Sequence, residues 1–210
     1  MNILFFGDSI TWGAWDNEGG WVSRIKKQVD KKIIDSDFNY YHDIYNVGIS
    51  GDKTTDLLDR FEVEAKNRID EDNETVIVFS VGVNDSQFIE KEGNRTPFDQ
   101  FQNNIKALIG KAEKLGGKVV FIGIFPVDDS KLSPTPWDDG KSYKLEYVDK
   151  YNRILQGVCR NEDVDFIDIY GEFIKKDYKS LLIDGLHPNT EGHRQISEIV
   201  LKFLQNKKII

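Results

Sequence analysis

Short apolar runs alternate with helix-patterned stretches along almost the whole chain, and this alternation constrains the fold more than any other feature. "LFFGDSITWG" from Leu4 opens the series, and "ETVIVFSVGVND" near residue 80, "GKVVFIGIFPV" near residue 121 and "DVDFIDIY" near residue 167 repeat it. Each run is short, rich in β-branched or aromatic residues, and bounded by turn-forming residues, which is the pattern of a buried strand. "YYHDIYNVGISG" is a weaker fifth. Helical spacing fills the intervals at Gly20 to Lys32, Thr54 to Asn67, Pro97 to Leu115, Tyr147 to Asn161 and Thr190 to Leu204. Strands separated by helices require right-handed crossovers into a parallel sheet covered on both faces. The expected fold is therefore a three-layer α/β/α sandwich on a five-stranded parallel sheet.

No fixed-period repeat and no Pro/Gly/Ser linker interrupts the 210 residues, so a single domain spanning 1–210 is expected. The net charge of −8 disfavours nucleic acid and anionic membranes as partners, since both select for excess Lys and Arg. Cys159 is the one cysteine, which rules out an intrachain disulfide and fits a reducing, cytoplasmic setting. No segment is long and apolar enough to insert stably in a membrane, and Ile3 to Phe6 is too short for a signal-peptide core.

In a sheet of this kind the loops after the strands converge at one edge, so the residues just past each run are the candidates for chemistry. Asp8-Ser9, Ser50-Gly51-Asp52, Asn84-Asp85 and "DGLHPN" from Asp184 to Asn189 meet that condition. Together they supply the parts of an acyl-transfer site. Ser9 is a nucleophile that needs a base. His187 suits that task because imidazole exchanges protons near neutral pH, so turnover should fall on the acid side. Asp184, three residues earlier, is placed to orient the imidazole. The backbone N–H groups of Ser9 and Gly51 and the side-chain amide of Asn84 are candidate oxyanion donors. His193, six residues beyond His187, lacks the spacing of a zinc pair and reads as a polar helix residue.

"FGDSITWG", "NVGISGDKT", "SVGVND" and "DGLHPN", in this order, resemble the four sequence blocks of the SGNH, or GDSL-type, hydrolase superfamily. The resemblance runs from Gly7 to Asn189 and departs at Ile10, where the family's short name has Leu. It implies a flavodoxin-like sandwich, no metal or organic cofactor, and hydrolysis of small-molecule esters or thioesters through an acyl-enzyme on Ser9. It also places Gly51 and Asn84 as oxyanion donors and Asp184 and His187 in the triad. Gly48 shares the second block, but the pattern sets the donor at the glycine after Ser50.

Asp8, Trp12, Trp15, Asp85, Pro126 and Trp137 are the expected pocket residues. Asp85 could instead brace its loop, and Trp12 and Trp15 could be core. The irregular stretch from Pro126 to Tyr147 leaves the end of the fourth strand and is expected to form a pocket wall. A flavin or phosphate binder of the same fold is the competing class, but "FGDSITWG" matches neither GxGxxG nor a P-loop. The substrate stays open among lysophospholipids, simple esters, acyl thioesters and acetylated sugars.

Overall fold

The computed structural model describes residues 1–70 and 72–210. In chain order its elements begin β1 (Asn2–Gly7), α1 (Ser9–Trp12), α2 (Gly20–Asp35), β2 (Asp43–Gly48), α3 (Thr54–Lys66) and β3 (Thr75–Ser80). They continue with β4 (Phe88–Ile89), β5 (Gly93–Asn94), α4 (Phe98–Lys114), β6 (Gly117–Ile122), β7 (Lys141–Ser142) and α5 (Leu145–Asn161). Last come β8 (Asp165–Ile167), α6 (Ile169–Phe173), a 3-10 turn (Tyr178–Leu181) and α7 (Thr190–Asn206).

The main sheet has five parallel strands in the order β2-β1-β3-β6-β8. Side chains of β1 alternate between its faces. Phe5 meets Trp21 of α2 edge-on at 5.1 Å, and Phe6 meets Phe61 of α3 at the same separation on the other face. Helices α2 and α7 pack together on the first face, and α3, α4 and α5 on the second. All six residues of β1 are buried, as a strand covered from both sides must be.

Register decides where the polar residues go. Gly7 at the end of β1 pairs with Gly48 on one side and Ser80 on the other, so three strands finish level. The chain order also reverses at β1, which places the crevice between the turns after β1 and β3.

The wall after β6 is more ordered than its sequence suggests. β7 pairs antiparallel with β4, and β4 with β5, so residues 88–94 and 141–142 form a second sheet of three very short strands. Helix α5 begins at Leu145, two residues before the expected start. Strands of two residues have no periodicity to read, so the tie appears only when distant segments meet. Among the described residues, no helix is long and apolar enough to cross a membrane.

Candidate active site

Gly7 lets Thr11 of α1 and the Ser80 carbonyl pack close against the end of β1, because a Cβ there would lie 2.2 Å from Thr11 Oγ1 and 2.3 Å from the Ser80 carbonyl oxygen. Asp8 then caps α1, its Oδ1 accepting the Ile10 N–H at 2.9 Å. This sets Ser9 at the first position of α1. Its Oγ lies 3.0 Å from His187 Nε2.

The turn carrying His187 is organised by Asp184. One carboxylate oxygen accepts the N–H groups of Leu186 at 2.8 Å and His187 at 2.7 Å; the other lies 2.6 Å from His187 Nδ1. A proton on Nδ1 facing this carboxylate leaves Nε2 as the acceptor for the Ser9 hydroxyl. Trp15 Nε1 is also 3.2 Å from Nδ1, but a nitrogen already donating to Asp184 has no lone pair for it. Trp15 therefore acts as an edge-on neighbour of the imidazole, with ring centroids 5.8 Å apart. Asn189 caps α7 by accepting the Gly192 N–H at 3.0 Å, which anchors the far side of the turn.

Two hydrogen bonds orient the amide of Asn84. Its Nδ2 donates to the Asp52 carbonyl at 3.0 Å and its Oδ1 accepts from Tyr143 Oη at 2.9 Å. The second N–H of that amide is left for the cleft. The loop before α3 is pinned by Arg60, which donates to Asp52 Oδ2 at 2.7 Å and to the Val47 carbonyl at 2.8 Å.

The two glycines of that loop differ in purpose. A Cβ on Gly48 would come within 2.4 Å of the Trp12 nitrogen, so Gly48 permits close packing of β2 on α1. Gly51 has open space around it and a φ of +87°, a left-handed conformation that favours glycine. Gly51 borders the same cleft as Ser9, Asn84 and His187, an open space of about 270 Å³.

Three carboxyls near the site diverge. Burial would raise Asp184, but the bonds from the His187 ring, the His187 N–H and the Leu186 N–H outweigh it and hold the group at about 2. Burial dominates at Asp8 and pushes it up to about 7 against the Ile10 hydrogen bond. Burial also raises Asp85, opposed by bonds from Thr54.

Residues 5–195 match the model of the GDSL-like Lipase/Acylhydrolase family. The chain belongs to that family. It is thereby a member of a family of ester-bond hydrolases. Its sequence is 24% identical over 201 residues to Esterase TesA of Pseudomonas aeruginosa, covering 95% of this chain and 86% of that protein. Its fold is similar to the lipase/acylhydrolase from Enterococcus faecalis, with a TM-score of 0.75 at 21% identity over 98% of this chain and 96% of that one. An acetyl xylan esterase, AlAXEase, aligns with a TM-score of 0.74 at 25% identity over 97% of this chain and all of the other, 100%.

Against this GDSL-like background, the expected pocket residues divide. Trp137 lines the cleft and Trp15 stands beside His187. Trp12 is 54% exposed and does not border the cleft. Asp8 is 2% exposed and does not border the cleft; its carboxyl is engaged in capping α1. Asp85 is fully buried, accepting the Thr54 hydroxyl at 2.6 Å and the Thr54 N–H at 3.1 Å, so it braces the loop. Pro126 is buried off the cleft, since the chain after β6 stays buried through Asp128 before it emerges. His193 is buried in α7 with Nε2 3.3 Å from the Ala14 carbonyl.

Gln87, Arg95, Lys141 and Tyr143 also line the cleft, and none stands out in the sequence. They arrive through the β4-β5-β7 sheet and the segment next to it, whose pairing is non-local. A tyrosine late in a long post-strand segment is the one sequence signal that points to them.

Proposed function

We propose that the chain is a serine esterase that cleaves a small or medium acyl ester through an acyl-enzyme on Ser9. In this reading Ser9 Oγ attacks the carbonyl carbon while His187 Nε2 takes its proton, and Asp184 stabilises the resulting imidazolium. The Ser9 and Gly51 N–H groups and Asn84 Nδ2 stabilise the oxyanion. His187 returns the proton to the departing alcohol, and water repeats the sequence to release the acid. No metal or organic cofactor takes part. The observation that carries the reading is the run of contacts from Ser9 Oγ to His187 at 3.0 Å and on to Asp184 at 2.6 Å.

The deciding experiment compares wild type and Ser9→Ala on p-nitrophenyl esters of increasing chain length. Turnover by wild type alone, with fluorophosphonate labelling confined to Ser9, is the expected result. Wild-type turnover by the variant would sink the proposal.

A carbohydrate O-acetyl ester is a second reading of the same mechanism. It is favoured by the likeness to an acetyl xylan esterase and by Trp137, 55% exposed at the cleft, which offers a flat apolar face to a sugar ring. Acetylated xylo-oligosaccharides, run beside the p-nitrophenyl series, test it.

A further inference from the structure

The whole chain carries 36 Asp and Glu against 28 Lys and Arg, yet no carboxylate lines the cleft, whereas Arg95 and Lys141 both do. Lys141 is already neutralised, its Nζ 2.7 Å from Asp138 Oδ2. Arg95 is different. Its guanidinium bonds to Gln87 Oε1, a neutral oxygen, at 3.4 Å, and among the described residues it forms no salt bridge.

The other arginines that are mostly withdrawn from solvent are all committed. Arg24 pairs with Asp16, Arg60 with Asp52 and Arg68 with Glu64. Arg95 is half-buried like them and lacks such a partner. Its backbone is fixed as well, the Arg95 N–H donating to the Gln87 carbonyl at 2.9 Å. Its other polar neighbour is the Tyr143 phenol, also neutral, so no anion takes up its charge, and a partly desolvated guanidinium without a counter-anion matches a planar oxyanion.

We propose that Arg95 is an anion subsite of the catalytic cleft, and that the substrate is an ester bearing a carboxylate. One uncommitted cation answers one negative charge, which favours a carboxylate over a doubly charged phosphate monoester. The proposal rests on the esterase reading and adds a substrate class to it.

The test uses two matched pairs, p-nitrophenyl butyrate against mono-p-nitrophenyl succinate, and methyl 4-acetoxybenzoate against 4-acetoxybenzoate. These place the charge on the acyl and the alcohol side in turn. Wild type should prefer the anionic member of at least one pair by about tenfold in kcat/KM, as one charge-assisted hydrogen bond allows. Arg95→Gln should abolish that preference, lowering kcat/KM for the anionic member by about tenfold more than for its neutral counterpart, and Arg95→Lys should keep part of it. Free succinate or benzoate should also slow fluorophosphonate labelling of Ser9 in wild type and not in Arg95→Gln.

An anion-to-neutral ratio that is unchanged in Arg95→Gln overturns the subsite. So does an equal fall for both members of each pair, which would make Arg95 a support for its neighbours. A protein that turns over none of the four esters and takes no label on Ser9 would instead remove the esterase reading, and the subsite with it.

Discussion

The turn that presents Ser9 and the turn that presents His187 are built alike, each tied by an aspartate whose Oδ1 accepts a backbone N–H two residues on. The distances are 2.9 Å from Asp8 to Ile10 and 2.8 Å from Asp184 to Leu186. Their second oxygens meet different surroundings. Asp184 finds the His187 ring and keeps 30% side-chain exposure, whereas Asp8 is buried, with 2% of its surface exposed. One carboxyl is therefore held at about 2 and the other is raised to about 7. The same local turn thus leaves the charge state undecided; the partner of the free oxygen decides it.

The two aspartates should also act on stability in different pH windows. Asp8 holds a proton in the folded chain from its ordinary 3.8 up to about 7, where the unfolded chain has lost it, so its contribution falls as pH rises through that range. Asp184 gives its contribution above 3.8 and loses it as pH falls toward about 2.

The comparison is broken most directly by Asp184→Asn. Losing the acceptor for Nδ1–H removes control of the tautomer, and kcat should fall by roughly 10⁴-fold with the fold retained by circular dichroism. Asp8→Asn should stay far more active, because Asn caps a helix as well as Asp does. Equal losses in the two variants would contradict the division of roles.

On stability, wild type should lose at most about 1.4 kcal/mol per pH unit from the Asp8 carboxyl between pH 4 and 7. Asp8→Asn should remove that slope, read as urea midpoints at pH 5 and pH 8. An identical slope in the variant would mean that Asp8 is ionised throughout. Asp8→Ala should cost about 1 kcal/mol relative to Asp8→Asn, the value of a helix cap. Asp184→Asn should flatten the acid limb near pH 3, by the smallest margin, since water screens a partly exposed carboxylate.

Much of the site is legible in the amino-acid sequence because its residues follow strand ends. Ser9 and Asn84 come shortly after β1 and β3, and the level register of those strands brings them to one crevice. Asp184 and His187 sit in a turn short enough for their spacing to imply contact. Trp12 and Trp15 illustrate the limit of such reading. They lie three residues apart, Trp12 as the last residue of α1 and Trp15 beyond the left-handed Gly13 that ends it, so although both indoles are exposed only Trp15 stands beside His187.

By itself the sequence determined the layered α/β fold, the strand ends that carry chemistry, and the pairing of Asp184 with His187, because all of these follow from periodicity and short spacing. Tertiary structure alone decided which polar groups face the cleft. Asp8, Asp85 and Pro126 turn inward, while Arg95 and Tyr143 reach it from segments 86 and 134 positions beyond Ser9 in number. The orientation of each side chain depends on caps and on pairing across the β4-β5-β7 sheet, contacts between residues too far apart in the chain to leave a pattern in it.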